Sequence, residues 1–242
     1  MTVNSAIDFL LETSVDVYYH GASGKVIRAI AASGKLNPGV PEGEASRGYL
    51  KPMAGRVYLT KSLPYALMYS IGAAMVGKDI SRMPGVLENP EGGLVTVSAK
   101  PDASLPDEDW VGEILCEYES HRRGRTIGEI DSDRERKIKL DEYLYSVVPN
   151  EIRDRLAKRE SHKLYEYAVW AQFGKMVNRW LLKYNHSVLK QLQTQSPHLS
   201  FSEELHPQRA WVFDKVSVNP KIKPDGSNIF DLATEIPVTG AG

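Results

Sequence analysis

The spacing of apolar residues along the chain changes period several times, and each change marks an element. Asn4 to Thr13 reads as a short helix, capped by Asn4 or Ser5, with Ile7, Leu10 and Leu11 on its apolar face. Val15 to Tyr19 is rich in β-formers and reads as a strand ending at His20, followed by a turn at Gly21-Ala22-Ser23-Gly24. Lys25 to Ser33 has a helical period with Val26, Ile27, Ile30 and Ala31 inward, and Gly34 is placed to end it in a left-handed conformation. The Gly- and Pro-rich stretch 36–53 reads as a loop. Gly55 to Thr60 reads as a second strand. Ser62 to Met75 reads as a second helix, with Ser62 as its cap and Pro64 in its first turn. A loop over 78–92, a strand from Leu94 to Ala99 and an acidic turn from Ser104 to Trp110 follow.

From about 119 to 195 the pattern becomes charged and mostly helical. Phe173, Met176, Val177, Trp180, Leu181, Tyr184 and Val188 recur at helical spacing, most simply as the packing face of a helix on the body of the protein. Strand patterns return at Ala210–Phe213 and Val216–Val218, then a turn over 220–228 and a frayed, Gly-rich end after Thr239. This order predicts an α+β fold, with residues 1–242 as one domain and 119–195 as a helical insertion within it.

Composition narrows the function classes. The chain has 242 residues, 42% hydrophobic and 25% charged, with a formal net charge of -1. A dedicated nucleic-acid binder is usually clearly basic, so the overall charge predicts no such partner. Cys116 is the single cysteine; it lies in an apolar stretch and reads as core. One cysteine cannot build a disulfide framework, which favours a reducing, cytoplasmic setting. No signal peptide and no run of about 18 apolar residues is evident, so no membrane partner is expected. His162 and His186 lack ligand partners at metal spacing, so no metal is expected. Asp107-Glu108-Asp109 lacks the alternation of an oxygen-ligand loop and reads as a turn. His121-Arg122-Arg123-Gly124-Arg125 reads as a solvated basic loop beside Glu117 and Glu119.

One constellation carries chemistry. A strand ends in His20-Gly21-Ala22-Ser23. A helix with Ile27 and Ile30 runs into Ser33-Gly34-Lys35-Leu36. Then come Gly55-Arg56-Val57-Tyr58-Leu59-Thr60 and, eleven residues after Tyr58, Tyr69 on the next helix. This order and spacing resembles the ADP-ribosyltransferase superfamily, in particular its diphtheria-toxin and poly(ADP-ribose)-polymerase-like branch. The likeness covers residues 15 to 75. Ala22 stands where the family has Ser or Thr, and Ala66 where a family serine bonds the nicotinamide carboxamide.

The resemblance implies split mixed and antiparallel sheets around an NAD cleft, with NAD as a substrate. His20 would bond the adenosine-side ribose and Gly21 the nicotinamide carboxamide. Tyr58 and Tyr69 would sandwich the nicotinamide ring, and Ser23 and Thr60 would line the pocket with hydroxyls. The reaction is substitution at the nicotinamide ribose carbon through an oxocarbenium-like centre. The family's third motif is a Glu at the start of a late strand. Here Pro207-Gln208-Arg209 precede that strand, so the role falls to Glu204 (or its neighbour Glu203) or to Gln208. Loss of that Glu accompanies single-unit transfer or loss of activity in the family. The implied activity is therefore mono-ADP-ribosyl transfer to a macromolecular acceptor, protein or nucleic acid, as in toxins and effectors. Arg47 and Lys51 would be candidates for the pyrophosphate. A related RNA 2'-phosphotransferase would need an Arg-His before Tyr19 and a His at position 58, which are not here. A catalytically silent module that binds NAD or a partner is the reading from a different class.

Overall fold

The computed structural model describes residues 16–39, 53–71, 91–123, 134–158, 167–214, 221, 223 and 227–239. In chain order the elements are β1 (Asp16–Ser23), α1 (Gly24–Ser33), β2 (Val57–Thr60), α2 (Leu63–Ile71) and β3 (Glu91–Ala99). A 3-10 turn at Pro101–Ala103 leads to β4 (Ser104–Pro106), α3 (Glu108–Arg122), α4 (Arg134–Val147), α5 (Asn150–Lys158), α6 (Tyr167–Tyr184) and α7 (His186–Gln195). β5 (His198–Phe201), β6 (Pro207–Asp214), α8 (Ile229–Leu232) and β7 (Thr234–Ile236) complete the series. The chain divides into two compact units, one of residues 1–40, 54–104 and 197–242, the other of 41–53 and 105–196. The expected helix at 4–13 and strand at 216–218 lie outside the described residues. Among those residues no helix is long and apolar enough to cross a membrane.

The plan is α+β. The strands form one sheet in the order β4-β5-β2-β1-β3-β6-β7. The β1–β2, β1–β3, β2–β5, β3–β6 and β6–β7 pairs are antiparallel. The expected split into two sheets is corrected to a single sheet, because β1 pairs on both of its edges. It registers with β3 from Asp16↔Ala99 to Ser23↔Gly92, and with β2 at Tyr19↔Thr60. The expected turn at 21–24 is also corrected: β1 continues through Ser23, drawn on by its pairing to Gly92 and Gly93 of β3.

Strand alternation sends successive side chains to opposite faces, and the two cores of the first unit sort accordingly. On one face Tyr18, Val95, Val97, Ala210 and Val212 pack with Ile27, Ile30 and Ala31 of α1. On the other, Leu94, Trp211 and Phe213 pack with Ala66 and Leu67 of α2. α1 lies close over Gly93: a Cβ there would lie 2.8 Å from Ile27 Cγ1 and 2.7 Å from the Trp211 carbonyl oxygen. Val26, expected inward, is 44% exposed. Gly34 closes α1 at φ 67°, a left-handed value that glycine adopts without strain. Pro64 sits in the first turn of α2, and Ser62 Oγ accepts the Tyr65 amide at 3.4 Å.

The second unit is helical. Val111, Ile114, Leu115 and Cys116 of α3 meet Leu144, Leu156, Phe173, Val177 and Leu181 in one apolar core. Gly112 and Gly174 let α3 and α6 touch backbone to backbone, since a Cβ on either would collide with the carbonyl of Trp170 or Glu108. Tyr184, expected on the packed face of α6, is 66% exposed. The expected acidic turn at 104–110 is instead β4 followed by the start of α3. Asp107 Oδ1 accepts the Asp109 amide at 2.8 Å and its carbonyl accepts the Val111 amide at 3.0 Å, the bonds that begin a helix. The charges after residue 117 do not all face water. Glu119 is 1% exposed, with Tyr145 Oη donating to Oε2 at 2.5 Å and Arg123 Nε to Oε1 at 2.7 Å. Arg123 also donates to the Leu156 and Ala157 carbonyls at the end of α5. Burial first, and then the Glu119 carboxylate, push the Tyr145 hydroxyl pKa up to about 12.

Candidate functional site in the β unit

The site forms where β1 and β2 meet. After Tyr19↔Thr60 the main chains have no further registered partner, and the His20 side chain bridges the two strands instead. His20 Nδ1 lies 3.0 Å from the Tyr58 carbonyl oxygen. A carbonyl only accepts, so Nδ1 carries the proton. Burial pushes the His20 pKa below its ordinary 6.5, so the ring is neutral at pH 7. A neutral ring protonated on Nδ1 keeps a lone pair on Nε2. That nitrogen is therefore suited to accept a hydroxyl proton.

Side-chain alternation places the other predicted residues on a common face, the one covered by α2. Tyr19 pairs with Thr60, so Gly21 and Ser23 of β1 share a face with Tyr58 and Thr60 of β2. β5 extends this face with Ser200 opposite Tyr58 and His198 opposite Thr60. Gly21 is obligatory here: a Cβ would collide with the Ala66 carbonyl and lie 2.6 Å from Ser70 Oγ, so only glycine lets β1 lie directly against α2. Ser70 Oγ donates to the Gly93 carbonyl at 2.6 Å, which fastens the last turn of α2 to β3. Ser23 precedes α1 without a side-chain capping bond, which leaves its hydroxyl out of the helix cap. Tyr69 stands on α2 with 48% of its surface exposed.

Three residues of this face were not singled out by sequence. Tyr65 lies one helical turn before Tyr69, with the two hydroxyls 3.2 Å apart and the rings edge to face at 5.2 Å. The i, i+4 spacing in the sequence carries that signal. His198 stacks on Tyr65 at 3.8 Å between centroids, and its Nδ1 lies 2.8 Å from Thr60 Oγ1. Burial lowers the His198 pKa to about 4. Arg56 reaches across β2 to β5, donating from Nε to Ser200 Oγ at 2.8 Å and from Nη2 to the Ser200 carbonyl at 2.5 Å. No local pattern joins His198 or Ser200 to β2; strand pairing across the intervening helical unit does. Arg47 and Lys51 lie outside the described residues.

The third-motif candidates separate. Glu204 is held by Lys35 Nζ at 3.0 Å and lies 3.8 Å from His206 Nε2, beside the bridge between Leu36 and Leu205. Glu203 is exposed. Gln208 is the extra residue of a β-bulge. Val97 pairs with Pro207 and Thr96 with Arg209, which leaves Gln208 between them, exposed at the start of β6. Arg209 is committed elsewhere: it bonds Glu235 at 2.8 Å through two nitrogens and lies 4.6 Å over the Trp211 ring.

In the helical unit, burial raises Asp107 to about 8 and Asp109 to about 7, with neighbouring carboxylates adding to both. Among the described residues no group of three or more His, Cys, Asp or Glu is arranged to hold a metal ion. Comparison with known proteins returns no matching family model, no matching curated protein and no matching solved structure.

Proposed function

We propose that the chain is a mono-ADP-ribosyltransferase, which moves ADP-ribose from NAD to a macromolecular acceptor, protein or nucleic acid, and releases nicotinamide. The observation that carries this reading is the state of His20. Its Nδ1 proton is spent on Tyr58 and its ring is neutral, so Nε2 accepts a ribose hydroxyl at the seam where β1 parts from β2, while Gly21, Ser23, Tyr58 and the tyrosines of α2 stand on the alternate face of the same strands. Tyr58 and Tyr69 offer rings for nicotinamide to stack on. In the reaction the bond from the ribose carbon to nicotinamide breaks and its electron pair leaves with nicotinamide. The oxocarbenium-like carbon is then attacked by a lone pair of the acceptor's nucleophilic atom, which releases its proton to solvent. The exposed bulge position makes Gln208 the better candidate for orienting the ribose, since Glu204 is engaged by Lys35. An amide orients but carries no charge, which suits transfer of single units.

A second reading, a silent NAD- or partner-binding module, draws on the same two residues: a neutral side chain at the bulge and a carboxylate tied up in an ion pair. NAD labelled on the adenylate separates the two. Wild-type protein and Tyr58→Ala are incubated with it, with and without cell lysate, and the protein and nucleic-acid fractions are counted. Label that appears in either fraction and disappears in Tyr58→Ala supports transfer and names the acceptor class. NAD binding without label or free nicotinamide supports the silent module. Neither binding nor turnover removes the NAD reading.

A further inference from the structure

We propose that Tyr65 and His198 are positioning residues of this site: the His198 ring fixes the Tyr65 ring, and the Tyr65 hydroxyl fixes Tyr69. This rests on the reading of Tyr69 as one face of the NAD pocket. A tyrosine as exposed as Tyr69 ordinarily turns about two side-chain torsions, and a ligand that stacks on it must stop that motion. Here the ordering is done before a ligand arrives.

The contacts close into a loop. The Ser62 amide donates to Thr60 Oγ1 at 2.9 Å. The same Thr60 hydroxyl oxygen lies 2.8 Å from His198 Nδ1, within hydrogen-bond distance. The His198 ring lies against Tyr65 at 3.8 Å with 31° between planes. The Tyr65 amide returns to Ser62 Oγ at 3.4 Å. β2, β5 and the first turn of α2 are thereby tied together, and the Tyr65 hydroxyl extends the loop by 3.2 Å to Tyr69. The edge-to-face angle of 66° between the tyrosines is one that aromatic pairs prefer, so ring packing and hydroxyl contact hold Tyr69 in the same orientation.

Three variants of the full-length protein test this: Tyr65→Phe, which keeps the ring and removes the hydroxyl; His198→Leu, which removes the stack; and His198→Phe, which restores it. NAD is the probe, read as KM and kcat for nicotinamide release. The Tyr69 ring resonance of 13C-tyrosine-labelled protein is recorded without NAD, and thermal melting controls for folding. Tyr65→Phe is expected to raise KM about three- to tenfold, the range of one lost hydrogen bond, with kcat within about twofold and Tyr69 shifted. His198→Leu is expected to do the same, and His198→Phe to recover most of the KM. If Tyr65→Phe leaves both KM and the Tyr69 resonance unchanged while wild-type protein turns over NAD, the positioning role is overturned and the transferase reading stands. Equal KM changes in the two His198 variants, each matched by lost melting temperature, would reduce His198 to a structural role and overturn its part. Wild-type protein that neither binds NAD nor releases nicotinamide overturns the transferase reading, and this inference with it.

Discussion

The two units handle polar groups in opposite ways. In the helical unit Glu119 is sealed from water and satisfied from inside by Tyr145 and Arg123, which also ties down the last carbonyls of α5. In the β unit His20, Tyr58 and Ser23 remain partly exposed and Tyr69 is nearly half exposed; Tyr58, Ser23 and Tyr69 gather on the α2 side of the sheet, and His20 stands at the seam between β1 and β2. The difference teaches that density of charge along a sequence says little about where ligands bind. The charged stretch after residue 117 holds an internal hub, whereas the sparsely charged region of β1 and β2 presents hydrogen-bonding groups outward. A polar group whose capacity is used up within the fold stabilises it; one left facing out is available for chemistry.

Substitutions sharpen the contrast. Glu119→Ala should cost the helical unit about 2 kcal/mol, because it leaves the buried Tyr145 hydroxyl without its acceptor and takes the carboxylate from the half-buried Arg123, which keeps its bonds to the α5 carbonyls. Urea unfolding followed by the fluorescence of Trp110, Trp170 and Trp180 reads this, and a loss below about 1 kcal/mol would mean the hub is no more than a surface ion pair. Tyr58→Ala should weaken NAD binding by about 2 kcal/mol, roughly thirtyfold, while the stability of the β unit changes by less than about 1 kcal/mol. Calorimetry with NAD and a melting curve on the same sample check both halves. His20→Ala should weaken NAD about tenfold through loss of the Nε2 acceptor; unchanged affinity would dissolve the site. Ser70→Ala should cost about 1 kcal/mol in stability by releasing the end of α2 from β3, and it should leave the helical unit's transition where it was.

The units should also respond to pH with opposite sign. His198 is held at about 4, below its unfolded value of 6.5. Between these values the unfolded chain binds more protons, so the stability of the β unit rises with pH from about 4 to 6.5 and is lost as pH falls. His20, lowered by burial, acts in the same direction. Asp107 and Asp109 are raised to about 8 and about 7 from an unfolded value of 3.8. There the folded state binds more protons, so the helical unit weakens as pH rises through that window. Trp211 reports on the β unit in a Trp110→Phe/Trp170→Phe/Trp180→Phe background, and Trp211→Phe isolates the helical signal. Parallel slopes from the two probes would contradict this assignment.

Much of this was legible in sequence where neighbours along the chain decide the outcome. α1 and its glycine stop, β2, the capped start of α2 and β3 follow from local period and turn chemistry. Residues 21–23 are strand rather than turn because partners distant in sequence override the local preference, whereas 107–110 open a helix through local bonds to Asp107. Gly92 and Gly93 extend β1, and Asp107 behaves as a helix cap once it is buried. Within the candidate site, His20 and Tyr58 stand out only through the resemblance of their order and spacing to a family pattern, and the structure joins them by a hydrogen bond. His198 was invisible because it reaches Thr60 only through the pairing of β5 with β2. Gln208 stood out as a departure from the family pattern, but its place in a bulge depends on register with β3, which no local signal fixes.

The interruption of the β unit by the helical one has a consequence for the order of assembly during synthesis. The stretch 105–196 is continuous and carries its own apolar core, closed when α6 packs back on α3, so it can condense as soon as it is made. β1 and β2, made earlier, must wait for β5 and β6, which come from residues after 197. His198 and Gln208 are therefore among the last parts of the site to be translated. A nascent chain carries the His20 motif for most of its synthesis without the completed face around it, so any activity that depends on that face is withheld until the β unit closes.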